Sequence, residues 1–240
     1  MIFFRSLFFQ IGLYLGGISS FLLATPLLLL PSRFIEKFAR LWSTYVLCLL
    51  RMIVNLDVKV EGLENLPKDG KYIIASNHQS AWETQVIFAL LPHTPVAVQK
   101  QSLSKVPLFG IFLVKAGMIS IDRNNPSGGM RKFLNDVKDR LSKNRPVLIF
   151  PEGTRVPPFE TRNFQRGIEF LYKNLSAPVV PMVHNAGIFW KRRAFQKSPG
   201  CVTLKILPSI LPEKNVNFLI DLEITMNQEK SLLEKDHVLS

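Results

Sequence analysis

Cysteine is nearly absent from this sequence. The chain of 240 residues holds two, Cys48 and Cys201, and they form no C-x-x-C pair. That excludes a disulfide framework and a cysteine-built metal site, and it fits a domain kept on the reducing side of a membrane. Cys48 lies in an apolar stretch and is expected as a buried thiol. Acidic residues are also scarce. Eighteen Asp plus Glu stand against 30 Lys plus Arg, a net charge of +12. Such a surplus selects an anionic partner, whether nucleic acid, a membrane surface or an anionic substrate. Nucleic acid fits worst and no nucleic-acid partner is expected, because neither zinc-finger spacing nor the aromatic-basic signature of RNA-binding strands occurs. Histidine is limited to His78, His93, His184 and His237. No second histidine stands three to five residues from His78, so no metal site is expected there. A G-x-S-x-G elbow, internal repeats and low-complexity segments are missing too.

Charge is missing altogether from Ser6 to Ser32. The apolar run Leu7 to Leu30 is long enough for a helix to cross the ~30 Å hydrocarbon core of a bilayer. It is too long for a signal peptide and no small-x-small cleavage site follows. Gly12, Gly16, Gly17 and Pro26 interrupt it and allow close helix packing or a kink. The mean hydropathy of +0.16 agrees that some apolar content lies outside a soluble core. Arg33, Lys37, Arg40 and Arg51 follow, interleaved with Phe34, Phe38, Trp42 and Tyr45. That pattern predicts a basic amphipathic helix in the headgroup region of a phospholipid membrane. Positive residues after the run place the rest of the chain on the cytoplasmic side. A spanning helix and a re-entrant hairpin both satisfy this pattern.

After Asn55 short apolar runs alternate with helical stretches. Strands are expected at 57–62, 72–76, 95–99, 118–122, 147–150, 178–183 and 201–207, and helices at 82–91, 128–143 and 165–174. The fold class is therefore α/β: a single domain with a mostly buried mixed sheet flanked by helices, preceded by an N-terminal membrane-associated helical segment. The expected organisation is 1–54 membrane-anchoring segment, 55–226 catalytic domain and 227–240 polar tail.

Two clusters carry chemistry. In Ser76-Asn77-His78-Gln79-Ser80-Ala81-Trp82-Glu83 a histidine follows a strand, and a carboxylate sits five residues on in the first turn of a helix. Glu83 can fold back on His78, fix its tautomer and leave the other ring nitrogen free to take a proton. In Phe150-Pro151-Glu152-Gly153-Thr154-Arg155 a strand ends in a turn with exposed amides and a guanidinium, which together suit a phosphate. Glu152 is expected to organise this turn and to pair with a cation.

Together these clusters resemble the glycerolipid acyltransferase family, most closely its bacterial 1-acyl-sn-glycerol-3-phosphate branch. Four stretches carry the resemblance: Asn77 to Ser80 with Glu83; Lys100-Gln101-Ser102-Leu103 continuing to Pro107, Gly110, Gly117 and Ile121-Asp122-Arg123; Phe150 to Arg155; and Val179-Val180-Pro181-Met182 with Gly187. The family usually has aspartate where this chain has Glu83, which keeps the acceptor oxygens on a longer arm. A family lysine before Gly167 is here Arg166. The resemblance implies transfer of a fatty acyl group from acyl-CoA or acyl carrier protein, as co-substrate, to a lysophosphatidate acceptor, for phospholipid biosynthesis. It implies His78 as base and Glu83 as its orienter. It implies a phosphate seat from Arg155, Gly153, Thr154 and Glu152, with Lys100, Lys105, Arg123 and Arg166 as further cations, no cofactor, and residence at the bacterial inner membrane. Glycerol-3-phosphate and lyso-ornithine lipids are alternative acceptors, and an inactive membrane-binding relative is the alternative outside enzymes.

Overall fold

The computed structural model describes residues 1–121, 126–213 and 215–239, with the side chains of 126–128 and 237–239 outside the description. Its frame is a seven-stranded sheet in the order β1-β7-β6-β2-β5-β3-β4. The strands are β1 (Leu56–Glu61), β2 (Ile73–Ser76), β3 (Val96–Lys100), β4 (Ile119–Ile121), β5 (Val147–Ile149), β6 (Val179–His184) and β7 (Gly200–Ile206). All neighbours run parallel except β6 and β7. All seven expected strands are present, and the sheet is mixed as expected.

The central strands are apolar at consecutive positions because both faces are covered. Ile73, Ala75, Val147, Ile149 and Val179 belong to the core on one face; Ile74, Leu148, Val180 and Met182 belong to the core on the other. Each fully buried Val, Leu, Ile or Met among them stabilises the fold by roughly 1.5–3 kcal/mol. The parallel strands β2, β5, β6 and β3 end on the same edge of the sheet. That edge is where open α/β sheets hold ligands. His78 follows β2, Arg155 follows the adjacent β5, and Lys100 ends β3.

Helix α3 (Trp82–Leu90) starts on the loop after β2, and α5 (Pro126–Ser142) and α6 (Gly167–Asn174) stand where amphipathic patterns placed them. A further helix, α4 (Phe109–Lys115), lies in the stretch between β3 and β4, where the sequence pattern predicts no element. Gly110 fits there because a Cβ would lie 2.2 Å from the Ser104 carbonyl oxygen.

The N-terminal segment is a helical hairpin of α1 (Ile2–Leu23) and α2 (Ser32–Leu49). Glycines set its close approach. A Cβ on Gly16 would stand 2.3 Å from Tyr45 Oη, and Tyr45 Oη donates to the Gly12 carbonyl at 3.0 Å. Both ends of α1 pack on the sheet domain. Ser6 Oγ accepts from the Lys197 amide at 2.9 Å and Phe9 packs on Trp190, while Phe21 packs on Phe109 and Phe112 of α4. Phe4, Phe8, Leu15 and Leu22 are exposed on its outer side.

The structure departs from the sequence pattern in three places. Arg40 does not face outward with Arg33, Lys37 and Arg51; its guanidinium donates to the carbonyls of Ala89, Leu91 and Pro92 and ties α2 to α3. Cys48 is exposed, because the apolar side of α2 that holds Leu41 and Tyr45 is itself exposed. The stretch from residue 227, expected as a polar tail that frays or forms a loose helix, is helical as far as residue 239 and packed through Glu234. It is the second half of α8 (Phe218–Leu239), and its polar side chains Lys230 and Glu234 are buried because they bond to a loop.

Candidate active site

Pairing of β2 with β5 brings the two chemical clusters together. The His78 ring stacks on Phe150, with centroids 4.0 Å apart. His78 Nδ1 and Glu83 Oε1 are 2.5 Å apart. With the carboxylate as acceptor, Nδ1 carries the proton, and Nε2 is the ring nitrogen left to accept one. Among the described residues no group bonds to Nε2, and the His78 side chain is 18% exposed.

Glu83 is fully buried and its oxygens also accept from the amides of Gln79 and Ser80 at 3.1–3.2 Å. Burial pushes this carboxyl up. The bond from His78, the rings of His184 and His78 and the backbone outweigh it, and the group is held below the usual carboxylate range. The extra methylene of glutamate is used to reach back over the first turn of α3.

His184 closes the site from behind. It is buried, Nε2 is 2.9 Å from the Asn77 carbonyl and Nδ1 accepts from the Ala186 amide at 3.3 Å. These partners define a neutral ring with its proton on Nε2, and burial lowers its pKa. Asn77 clips the same strand end twice, donating to the His184 carbonyl at 2.9 Å and accepting from its amide at 3.0 Å.

The turn after β5 is built around Gly153, whose φ of 70° suits glycine. Its amide donates to the Phe150 carbonyl at 3.0 Å, and the Gln165 amide donates to the Pro151 carbonyl at 2.8 Å. Glu152 takes no ion-pair partner among the described residues. Its carboxylate turns inward and accepts from the His78 amide at 2.6 Å. Burial raises its pKa to about 7, against the bond from His78 and the charge of Lys230. The ion pair expected for Glu152 is therefore not formed among the described residues, and Lys230 of α8 bears on it only through its charge.

One cavity of about 1270 Å³ joins these groups. His78, Gly153, Thr154, Arg155 and Lys100 line its polar part; Phe21, Phe38, Trp42, Phe109 and Phe112 line its apolar part. Arg155 lines the cavity, and among the described residues its buried Nε has no hydrogen-bond acceptor. Among the described residues no group of three or more His, Cys, Asp or Glu is arranged to hold a metal ion.

Comparison with known proteins follows the same lines. The Acyltransferase family profile matches residues 57–185, more than half of the chain. The chain belongs to the acyltransferase family. This acyltransferase is 35% identical over 202 residues to the 1-acyl-sn-glycerol-3-phosphate acyltransferase of Pseudomonas aeruginosa, covering 83% of this chain and 76% of that one. It is 30% identical to the enzyme of that name from Limnanthes douglasii, over 76% of this chain and 65% of that one. Its fold matches the crystal structure of the 1-acyl-sn-glycerophosphate acyltransferase from Thermotoga maritima, with a TM-score of 0.77, 22% identity and 98% coverage of both chains.

Not every cation foreseen for this acyltransferase reaches the cavity. Lys105 is exposed in the 3₁₀ turn Gln101–Lys105 and Arg166 is exposed ahead of α6; neither lines it. Arg123 lies outside the described residues. Three cations that the sequence motifs do not mark line it: Lys132 on α5, Arg162 in the loop before α6, and Arg192 after α7 (Ala186–Phe189). Arg192 Nη1 donates to the Arg155 carbonyl at 3.4 Å. Arg162 and Arg192 sit in loops without periodicity, so their only signal was the overall charge.

Proposed function

We propose that this enzyme moves a fatty acyl group from an acyl-CoA or acyl carrier protein thioester to the sn-2 hydroxyl of 1-acyl-glycerol-3-phosphate, forming phosphatidic acid. The observation that carries this reading is a single cavity with an oriented base, the guanidinium of Arg155 and an aromatic-lined apolar end. His78 Nε2 takes the proton of the acceptor hydroxyl as that oxygen attacks the thioester carbonyl. The tetrahedral intermediate collapses, the C–S bond breaks, and the imidazolium returns its proton to the leaving thiolate. Glu83 holds the ring and supports its positive charge. Arg155, with the turn amides near Gly153, holds the acceptor phosphate and so places the hydroxyl, and positioning of this kind is worth several powers of ten in rate. The apolar end takes hydrocarbon.

The membrane supplies the acceptor. A helix that stands across a bilayer leaves the domain with one end, whereas both ends of α1 lie on this domain. In our reading α1 lies within one leaflet with Phe4, Phe8 and Leu15 in hydrocarbon and the exposed Arg33 and Lys37 of α2 at anionic headgroups. In this reading the catalytic domain stays on one side of the membrane, and the positive residues after the apolar run support the cytoplasmic face of the inner membrane.

The test is an assay of the purified protein in vesicles with labelled acyl donor and a panel of acceptors. Labelled phosphatidic acid from 1-acyl-glycerol-3-phosphate supports the reading. Turnover confined to glycerol-3-phosphate or a lyso-ornithine lipid removes it.

A further inference from the structure

The C-terminal helix α8 reaches the catalytic loops with two buried charged side chains, Lys230 and Glu234. Glu234 Oε2 accepts from the Phe159 amide at 2.8 Å, and Lys230 Nζ donates to the Glu160 carbonyl. Two turns earlier on the same helix, Glu223 Oε2 accepts from the Phe164 amide at 2.8 Å. The chain between Arg155 and α6 has no helix or strand of its own, so these three side chains supply partners for its backbone. That loop brings Arg162 to the cavity.

The second oxygen of Glu234 makes a different connection. Oε1 accepts from Gln79 Nε2 at 2.6 Å, and Gln79 Oε1 accepts from the Gly187 amide at 3.1 Å. Gly187 leaves room for this, since a Cβ there would stand 2.9 Å from both Gln79 Cβ and Pro158 Cγ. Gln79 adjoins His78, and its own amide donates to Glu83 at 3.2 Å. One buried chain therefore links α8 to the loop of the base and to the loop that carries Arg162. Its donor order is fixed: Gly187 N–H to Gln79, then Gln79 N–H to Glu234, with Phe159 N–H arriving on the other oxygen.

We infer that Glu234 is a positioning residue of the acyl-transfer site. It clamps the His78 loop and the 157–165 loop in one register, so that the proton acceptor and the cations at the cavity keep a fixed separation. Glu234 acts through Gln79 and contacts no substrate. The inference rests on the acyl-transfer reading given above.

The fixed donor order supplies the test. In Glu234→Gln the amide still accepts from Phe159 but turns an N–H toward Gln79 Nε2. Flipping Gln79 sets its own N–H against the Gly187 N–H, so one bond is lost either way. Combining Gln79→Glu with Glu234→Gln restores every donor–acceptor pair, because the carboxylate at position 79 accepts from Gly187 and from the amide at position 234. Misplacement by about 1 Å can cost on the order of 100-fold in rate, so kcat should fall at least about tenfold in Glu234→Gln and largely recover in the double variant. A merely structural contact would lower Tm and leave kcat unchanged at a temperature where circular dichroism shows the fold intact. Unchanged kcat in Glu234→Gln, or a double variant as impaired as the single one, would overturn the inference. If the unaltered protein acylates a different acceptor while its kcat falls in Glu234→Gln and recovers in the double variant, the proposed function fails and the clamp stands.

Discussion

His78 is held at both of its backbone groups by the turn that follows the neighbouring strand: its amide donates to the Glu152 carboxylate at 2.6 Å, and its carbonyl accepts from the Val156 amide at 2.7 Å. The loop of the proposed base and the turn proposed to hold phosphate are therefore tied together, although 74 residues separate His78 from Glu152. The arrangement depends on a carboxyl buried beside His78.

That carboxyl gives a pH prediction. The Glu152 carboxyl is raised from 4.5 to about 7. A raised folded-state pKa means the folded protein keeps the proton after the unfolded chain has lost it. The contribution to stability is fully present below pH 4.5 and is lost as pH rises through about 7. The loss is on the order of 3 kcal/mol. Glu152→Gln keeps an acceptor for the His78 amide without the ionisation. Relative to the unaltered protein, its Tm should be higher at pH 8 than at pH 5. Thermal melts at the two values check this, and a constant difference between the proteins counts against a buried titrating Glu152.

Glu83 gives the opposite sign. Its folded-state pKa is lowered, so its contribution to stability is present above its ordinary value of 4.5 and is lost as pH falls through the folded value. At neutral pH Glu83→Gln should fold, keep a bond to His78 and lose at least about 100-fold in kcat, because the imidazolium loses its counter-charge. Glu83→Asp should retain a good part. Steady-state kinetics of both variants decide, and a fully active Glu83→Gln reduces the residue to a helix cap.

Arg155→Ala should raise KM for the phosphorylated acceptor much more than for the acyl donor. A charge-assisted contact is worth roughly 1.5–3 kcal/mol, or about one to two powers of ten in affinity. Arg155→Lys should recover part of it, since an ammonium lacks the two-pronged geometry. Kinetics with each substrate varied in turn separate the effects. A defect confined to the donor would assign this arginine to the donor's phosphates.

The exposed face of α1 can be altered without opening the core. Phe8→Glu combined with Leu15→Glu places charge at two exposed positions and leaves buried Phe9 in place. Flotation with anionic vesicles should show reduced binding, with the remainder sensitive to salt through Arg33 and Lys37. Undiminished binding at high salt would mean that this face does not enter hydrocarbon.

Much of this architecture was legible before the structure. The strands read clearly because β2, β5 and β6 are apolar without interruption, and the His78–Glu83 spacing read as a base and its orienter because both flank a strand-to-helix loop. What did not read was everything set by pairing distant loops. Arg162 and Arg192 carry no periodic signal. Lys230 and Glu234 look like a solvated tail, since a polar side chain that is buried to satisfy a loop backbone is indistinguishable in sequence from an exposed one. Lys105 and Arg166 matched by spacing and stand away from the cavity, because turns of the backbone rather than counts of residues decide where a side chain goes.

The central claim is that His78 takes the proton from a lysophosphatidate hydroxyl, and acyl transfer by His78→Ala tests it most directly. With purified protein in vesicles, labelled donor and 1-acyl-glycerol-3-phosphate, kcat should fall by at least about 100-fold. KM for the acceptor should change little, because Arg155 and the turn amides remain. Phosphatidic acid formed by His78→Ala at the rate of the unaltered enzyme would contradict the mechanism.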